Sequence, residues 1–380
     1  MFPDRFVRLP VVTVGILVVI LGTSFTAWSQ ADTDAETTAA PSPSSVAPEP
    51  VATPKLTIGA GAILWLYQPF TKGTKNNVEV FWANLVVDGT LGAFGLHLEP
   101  RVRDTKLRSF FAGTAWLQEA YAFADVPYAK IKVGKIYGRL GLFWDNSFYG
   151  NVQVYDGLKL APDYGISIEG SAGRGWGVNY VAQYFVVDGG TNVSLAGRDT
   201  LSVAGSHRRN EAIARVEPFA ALAENATLKV GISGAFLQAD LPGGKNDVYR
   251  AAADATLSVG GLTVRGEVLR QNGRTVTDFP YAGAPATATT PAAAGRASSK
   301  NNYVLAGAEY TYDLFTLRYH FSLGSYEDVG VKERMHVPAI SVKANDNLSV
   351  LTEVVFWDRS APEGSSTVDH SLNVTLYGHF

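Results

Sequence analysis

Apolar side chains recur at every second residue through most of the chain from Lys55 to Phe380, and this period limits the possible folds more than any other feature. Successive residues of an extended strand point to opposite faces, so each such segment carries one apolar and one polar face. In Leu91–Arg103, the residues Gly92, Phe94, Leu96 and Leu98 fall on one face, with His97, Glu99, Arg101 and Arg103 on the other. In Phe315–Leu323, the residues Phe315, Leu317, Tyr319, Phe321 and Leu323 oppose Arg318, His320 and Ser322. In the final segment Leu372, Val374, Leu376 and Phe380 oppose Ser371, Asn373, Thr375 and His379.

Sixteen segments of this kind can be marked, at 55–67, 77–87, 91–103, 115–124, 129–137, 157–172, 176–187, 209–219, 227–239, 248–259, 262–271, 302–312, 314–324, 335–344, 348–357 and 368–380. The connections alternate between tight ones, at 87–90, 125–128, 173–175, 221–226, 260–261, around Asp313 and at 345–347, and longer ones between them. Short turns on one side, long loops on the other and an even strand number predict a closed antiparallel barrel spanning a membrane. Four places strain this scheme. Pro100 lies inside a strand, where it removes a ladder donor. Gly134 suggests a bulge, which would turn Lys135 inward. Residues 151–160 could form a strand of their own, and the spacing over Asn210–Ala223 also allows a helix.

Composition separates a membrane barrel from a soluble one. Hydrophobic residues are 46% of the chain and charged residues 18%, against about 25% charged in typical soluble domains. After the N-terminus no run approaches the roughly 20 apolar residues of a membrane helix, so the apolar groups must be dispersed along strands. The apolar faces also carry small residues, among them Ala212, Ala214, Ala251, Ala253 and Ala255. A lipid-facing surface tolerates these, whereas a packed soluble core would be left with voids. Aromatics near strand ends, including Trp65, Tyr67, Phe81, Trp82, Trp176, Tyr180, Tyr184, Tyr310, Tyr312, Phe356 and Trp357, suggest two interfacial girdles.

The N-terminus reads as an export signal over residues 1–29: Arg5 and Arg8, an apolar core from Leu9 to Gly22, and small residues near Ala27 and Ser29. An uncleaved anchor is the alternative. Residues 30–54 are rich in Ala, Pro, Ser and Thr and form a disordered leader, leaving 55–380 for the barrel. A similar low-complexity stretch at 273–299 is a long surface loop. The chain has no cysteine, which suits an oxidising periplasm. Its net charge of −3 gives no reason to expect nucleic acid as a partner.

Two stretches carry a family resemblance: GKIYGRLGLFWDNSFYG at Gly134–Gly150 and YDGLKLAPDYGISIEG at Tyr155–Gly170. They resemble the bacterial porin superfamily, and are most similar to phosphate-selective porin O/P-like and related sixteen-stranded porins. The C-terminal strand ending in Phe380 is similar to the segment by which outer-membrane proteins engage the barrel-assembly machinery. The resemblance implies an outer-membrane, homotrimeric channel in lipid, with the loop after the fifth strand folded into the barrel to narrow it. It implies passive diffusion of small hydrophilic or anionic solutes, with no cofactor. The clustered loop acids of general porins are missing, since Asp145 is the sole carboxylate between Lys135 and Asp156.

Strand parity turns Glu99, Arg101, Arg103, Glu119, Arg215, Arg265, Glu267 and Arg318 toward the lumen. Lys135 and Arg139 join Arg101 and Arg103 in the expected constriction, which predicts a weak anion preference. Each charge also has a blander reading, as polar lining paired with its neighbours. The six histidines lack HExxH spacing and no GxSxG elbow occurs, so an enzyme is not expected. Two rivals stand beside the porin: a substrate-specific channel of fourteen or eighteen strands, and a soluble exported β-sandwich that binds a ligand.

Overall fold

The structure, a computed structural model, describes residues 53–71, 76–103, 115–142, 162–187, 207–241, 244–275, 298–360 and 366–380. The sixteen strands are β1 (Lys55–Pro69), β2 (Asn77–Leu91), β3 (Phe94–Val102), β4 (Ala115–Val126), β5 (Ala129–Tyr137), β6 (Pro162–Gly173), β7 (Trp176–Val187) and β8 (His207–Ala223), then β9 (Ala226–Leu241), β10 (Gly244–Val259), β11 (Leu262–Thr275), β12 (Ser298–Tyr312), β13 (Phe315–Tyr326), β14 (Val331–Asn345), β15 (Leu348–Ser360) and β16 (Ser366–His379). Each pairs with its sequence neighbours, and β1 closes the barrel on β16 through Gly61↔His379 to Pro69↔Ser371. Phe380 extends the seam, exchanging backbone bonds of 2.8 and 3.0 Å with Ala60. Closure leaves no free strand edge, as a membrane-embedded sheet requires. It excludes both the sandwich and the fourteen- or eighteen-stranded alternatives.

The short connections are all two residues long: 92–93, 127–128, 174–175, 224–225, 260–261, 313–314 and 346–347. Left-handed backbone at Gly92 (φ 59°), Tyr128 (φ 71°), Gly260 (φ 54°) and Asp313 (φ 51°) makes four of these turns, the twist that suits tight hairpins. The first turn was expected at 87–90; the strands instead run through Asp88, Gly89 and Thr90, and the positive φ falls at Gly92. Two connections expected to be long are short. Only residues 242–243 separate β9 from β10, and a single 3-10 turn at Glu327–Val329 joins β13 to β14. The long-loop estimate at 273–299 shrinks from both ends, because β11 runs to Thr275 and β12 starts at Ser298. Residues 210–223 are strand rather than helix. The expectations for 1–29, for nearly all of 30–54 and for 151–160 fall outside the described residues.

Pro100 marks an irregularity. The β3–β4 register shifts between Glu99 and Pro100, and the β2–β3 ladder breaks between Asn84↔Arg101 and Val87↔Leu98. A residue without an N–H sits where the ladder is already open. The bulge expected at Gly134 is not found: both ladders of β5 run in register through it. Glycine is needed there because φ is 144° and a Cβ would lie 2.2 Å from the Ala120 carbonyl oxygen. A bulge does occur in β2, where Phe81 is the extra residue between Ile63↔Trp82 and Leu64↔Val80.

The two faces of the sheet differ sharply. Ile58, Leu66, Val133, Ile166, Val216, Ile232, Val264, Leu317 and Tyr319 are exposed on the outside. The inner face holds the buried charges together with three apolar clusters, one around Leu140, Ile213, Leu269 and Tyr303, one around Trp65, Tyr67, Phe81, Leu351 and Trp357, and a small one of Leu237, Ala239 and Val248. Several aromatics expected in the girdles are therefore interior. Trp65 donates from Nε1 to Asn373 Oδ1 (3.0 Å), which satisfies its one polar group. Trp176, Tyr184, Tyr310, Tyr312 and Phe356 remain on the exposed surface.

Candidate pore and its charged lining

β5 ends at Tyr137, and the chain then turns across the inner wall. Gln183 of β7 grips the turn twice, accepting from the Arg139 N–H (2.7 Å) and donating to the Tyr137 carbonyl (3.0 Å). Ser233 Oγ of β9 accepts from the Gly141 N–H (2.8 Å), and Glu267 of β11 accepts from the Leu142 N–H (2.9 Å). Leu140 is buried in the interior cluster with Ile213 and Leu269. Residues 138–142 thus bridge β7 to β11 on the inside of the barrel, and residues 143–161, including Asp145, lie outside the described residues. Gly141 has φ 65°, and a Cβ there would lie 2.2 Å from Glu267 Oε1. Only glycine permits both the left-handed backbone and this close approach.

A cavity of about 440 Å³ opens beside this segment, lined in part by Arg139, Glu169, Arg215, Glu217, Lys229 and Arg265. Four cations face two carboxylates there. The wall behind it is cross-braced. Arg215 of β8 reaches over β9 to both oxygens of Asp254 on β10 (2.5 and 2.9 Å) and also meets Glu217 (2.5 Å). Gly231 lies between them, and a Cβ there would fall 2.5 Å from Arg215 Nη2 and from Asp254 Oδ1. Farther round, Glu309 binds Arg265 and lies 3.5 Å from Arg318 Nε. Bidentate guanidinium–carboxylate contacts of this kind fix geometry as well as charge.

The opposite wall is built on β2–β5. Glu99 Oε1 accepts from Asn84 and Arg101, both at 2.8 Å, and the Arg101 guanidinium lies 4.2 Å from the Trp82 ring centre. Arg103, just past the end of β3, lies 5.5 Å from the Trp116 ring centre. Glu119 accepts from the Tyr137 N–H (3.4 Å) at the root of the inward segment.

The expected cluster of Arg101, Arg103, Lys135 and Arg139 is divided. Arg101 and Arg103 are absent from the cavity lining that includes Arg139. Without a bulge at Gly134, Lys135 shares its rungs with Ala120 and Tyr164, and Tyr164 is exposed on the outer face. Its ammonium donates to the Leu117 carbonyl (2.7 Å) and lies 5.8 Å from the Tyr164 ring centre. Parity also turns Arg250 toward the lumen, where it meets Glu211 (3.3 Å), whereas the inner pairs Lys132–Glu169 (2.9 Å) and Arg208–Asp163 (3.0 Å) were not anticipated. Parity alone could have flagged Glu169 and Lys132. Arg208 falls before the expected 209–219 segment because β8 begins two residues earlier, at His207.

These features define a class: a closed sixteen-stranded antiparallel barrel with an apolar exterior, a charged interior and the first turn of a long loop laid across its lumen side. Solved structures share this fold. OmpF of Salmonella typhi, solved in complex with daunomycin, superposes with a TM-score of 0.62 at 13% identity, over 86% of this chain and 97% of that one. The outer-membrane channel DcaP of Acinetobacter baumannii gives 0.58 at 11% identity, over 87% and 98%. An anion-selective porin from Comamonas acidovorans gives 0.56 at 9% identity, over 86% and 100%. The chain therefore has the fold of outer-membrane porins. No family model matches the sequence, and no curated protein matches it.

Proposed function

We propose that this chain is an outer-membrane porin that passes small hydrophilic solutes by diffusion, with a weak preference for anions. The observation that carries the reading is the cavity beside the inward segment, with Arg139, Arg215, Lys229 and Arg265 against Glu169 and Glu217. Barrels of 16–18 strands leave an aqueous channel, and a local excess of fixed positive charge raises the anion concentration in a narrow opening. An inward course of residues 138–142 supports the view that the rest of this loop narrows the lumen. Likeness in fold to an anion-selective porin supports the same sign of selectivity. The finer resemblance to phosphate-selective porin O/P-like proteins belongs to this proposal and makes phosphate a reasonable test solute.

The same reading assigns export through residues 1–29, assembly through the C-terminal strand that ends in Phe380, and a homotrimer in outer-membrane lipid. The test is a reversal potential in a salt gradient across a planar bilayer. The expected potential has the anion sign and shrinks as salt rises and screens the lining. Arg139→Glu changes the balance at the cavity by two charges and is expected to move selectivity toward cations. A wild-type channel that prefers cations overturns the anion preference, and a barrel that gives no conductance overturns the porin reading.

A further inference from the structure

We propose that His97, Glu99 and Glu119 on the inner wall form a binding site for a divalent transition cation. The first observation is a like-charge pair. Glu99 and Glu119 are direct cross-strand partners in the β3–β4 ladder, so their carboxylates share one face. Like charges directly opposite each other destabilise a sheet. Asn84 and Arg101 both engage Glu99, which leaves Glu119 with only the long bond from the Tyr137 N–H as its described donor.

The second observation is independent and concerns His97. Its Nδ1 lies 2.7 Å from Asp88 Oδ1, so Nδ1–H donates to the carboxylate, which favours that tautomer. Tyr121 stacks on the imidazole at 4.8 Å and 22°, which holds its plane. Nε2 is then left as a lone pair, buried and without a hydrogen-bond partner. An unpaired buried acceptor is costly. A carboxylate on one ring nitrogen with the other presented to a site is the arrangement that orients metal-binding histidines.

His97, Glu99 and Glu119 each offer a ligand atom, and these atoms lie within 4.8 Å of one another. Zinc bonds of about 2.0–2.2 Å in tetrahedral geometry hold ligands roughly 3.3 Å apart. The site therefore closes by up to about 1.5 Å on binding, through carboxylate rotation. One imidazole nitrogen and two carboxylates favour zinc, manganese, iron, cobalt or nickel over magnesium or calcium. Three protein ligands also leave a position open to water or a passing solute. The ion would sit at the root of the inward segment, since Glu119 holds the N–H of Tyr137, the residue just before it. The site does not depend on the porin reading, and its test reads binding directly.

The experiment uses the full chain, purified in detergent and stripped of metal, titrated with zinc chloride by calorimetry. One saturable site per chain is expected. His97→Gln and Glu119→Gln should each weaken it by at least about 100-fold, and Asp88→Asn by roughly 10–100-fold. His336→Gln, on the outer face, should leave it unchanged. Each variant is first checked for the heat-modifiable gel mobility of a folded barrel. Cobalt(II) provides a second readout on the wild type alone, as visible absorption bands of a nitrogen- and oxygen-ligated ion. The proposal is overturned if zinc binds wild type and His97→Gln equally, or if no saturable site exists and Glu99 and Glu119 simply share a proton.

Discussion

Glu267 is the farthest anchor of the inward segment, and its removal should loosen the segment without dismantling the barrel. Glu267 lies buried on β11, and its carboxylate accepts from the Leu142 N–H at 2.9 Å. A hydrogen bond to a charged group contributes about 1.5–3 kcal/mol. Losing it shifts the docked-to-undocked ratio of the segment by roughly 10- to 150-fold. Gln183 and Ser233 still hold Arg139 and Gly141, so the release is partial. Single-channel recordings should show larger or noisier conductance in Glu267→Ala, with subconductance steps absent from wild type. Glu267→Gln is the control for charge: it keeps an acceptor oxygen while removing the same negative charge. Both variants should become more anion-preferring, but only the alanine should become noisy. Identical recordings for wild type and Glu267→Ala would refute the claim that this contact holds the segment.

Three further outcomes can be checked. Ile232→Arg places a cation on the exposed outer face, at a cost of roughly 2–4 kcal/mol at mid-membrane depth, whereas Thr256→Arg points into the cavity and should cost little; urea titration of vesicle-folded protein should separate the two, and equal midpoints would mean the faces are reversed. Gly134→Ala forces a Cβ to within 2.2 Å of the Ala120 carbonyl and should lower the yield of folded barrel, measured by heat-modifiable mobility; an unchanged yield would show that the β4–β5 contact relaxes easily. Asp254→Ala leaves the Arg215 guanidinium with Glu217 as its remaining carboxylate partner, so the loss should fall below the about 3–5 kcal/mol of a fully broken buried pair, and Asp254→Ala combined with Glu217→Ala should lose more than either alone, measured by the same urea titration; additive losses would show that the two carboxylates do not share the arginine.

The strand number, the order of the barrel and the in-or-out direction of most charges were legible from residue order alone. Each depends on a local rule. A period of two assigns faces, a two-residue gap makes a hairpin, and sixteen consecutive hairpin-linked strands have little choice but to close. Glu99, Arg215 and Glu267 are buried on the face opposite the exposed apolar residues of their strands.

Parity fails wherever the ladder slips. The extra residue Phe81 in β2 and the shift beside Pro100 altered the local register, and Lys135 is buried although it shares a rung with the exposed Tyr164. A face pattern also carries no height along the barrel and names no partner two strands away. That Arg215 crosses Gly231 to Asp254, that Leu142 meets Glu267 at a separation of 125 residues, and that His97 and Glu119 bring ligand atoms within 4.8 Å are decided by strand stagger and by the inward course of residues 138–142. The chain's periodicity thus determined which side chains could enter the pore. Only closure of the sheet, which brings distant strands to a common level, decided which of them meet.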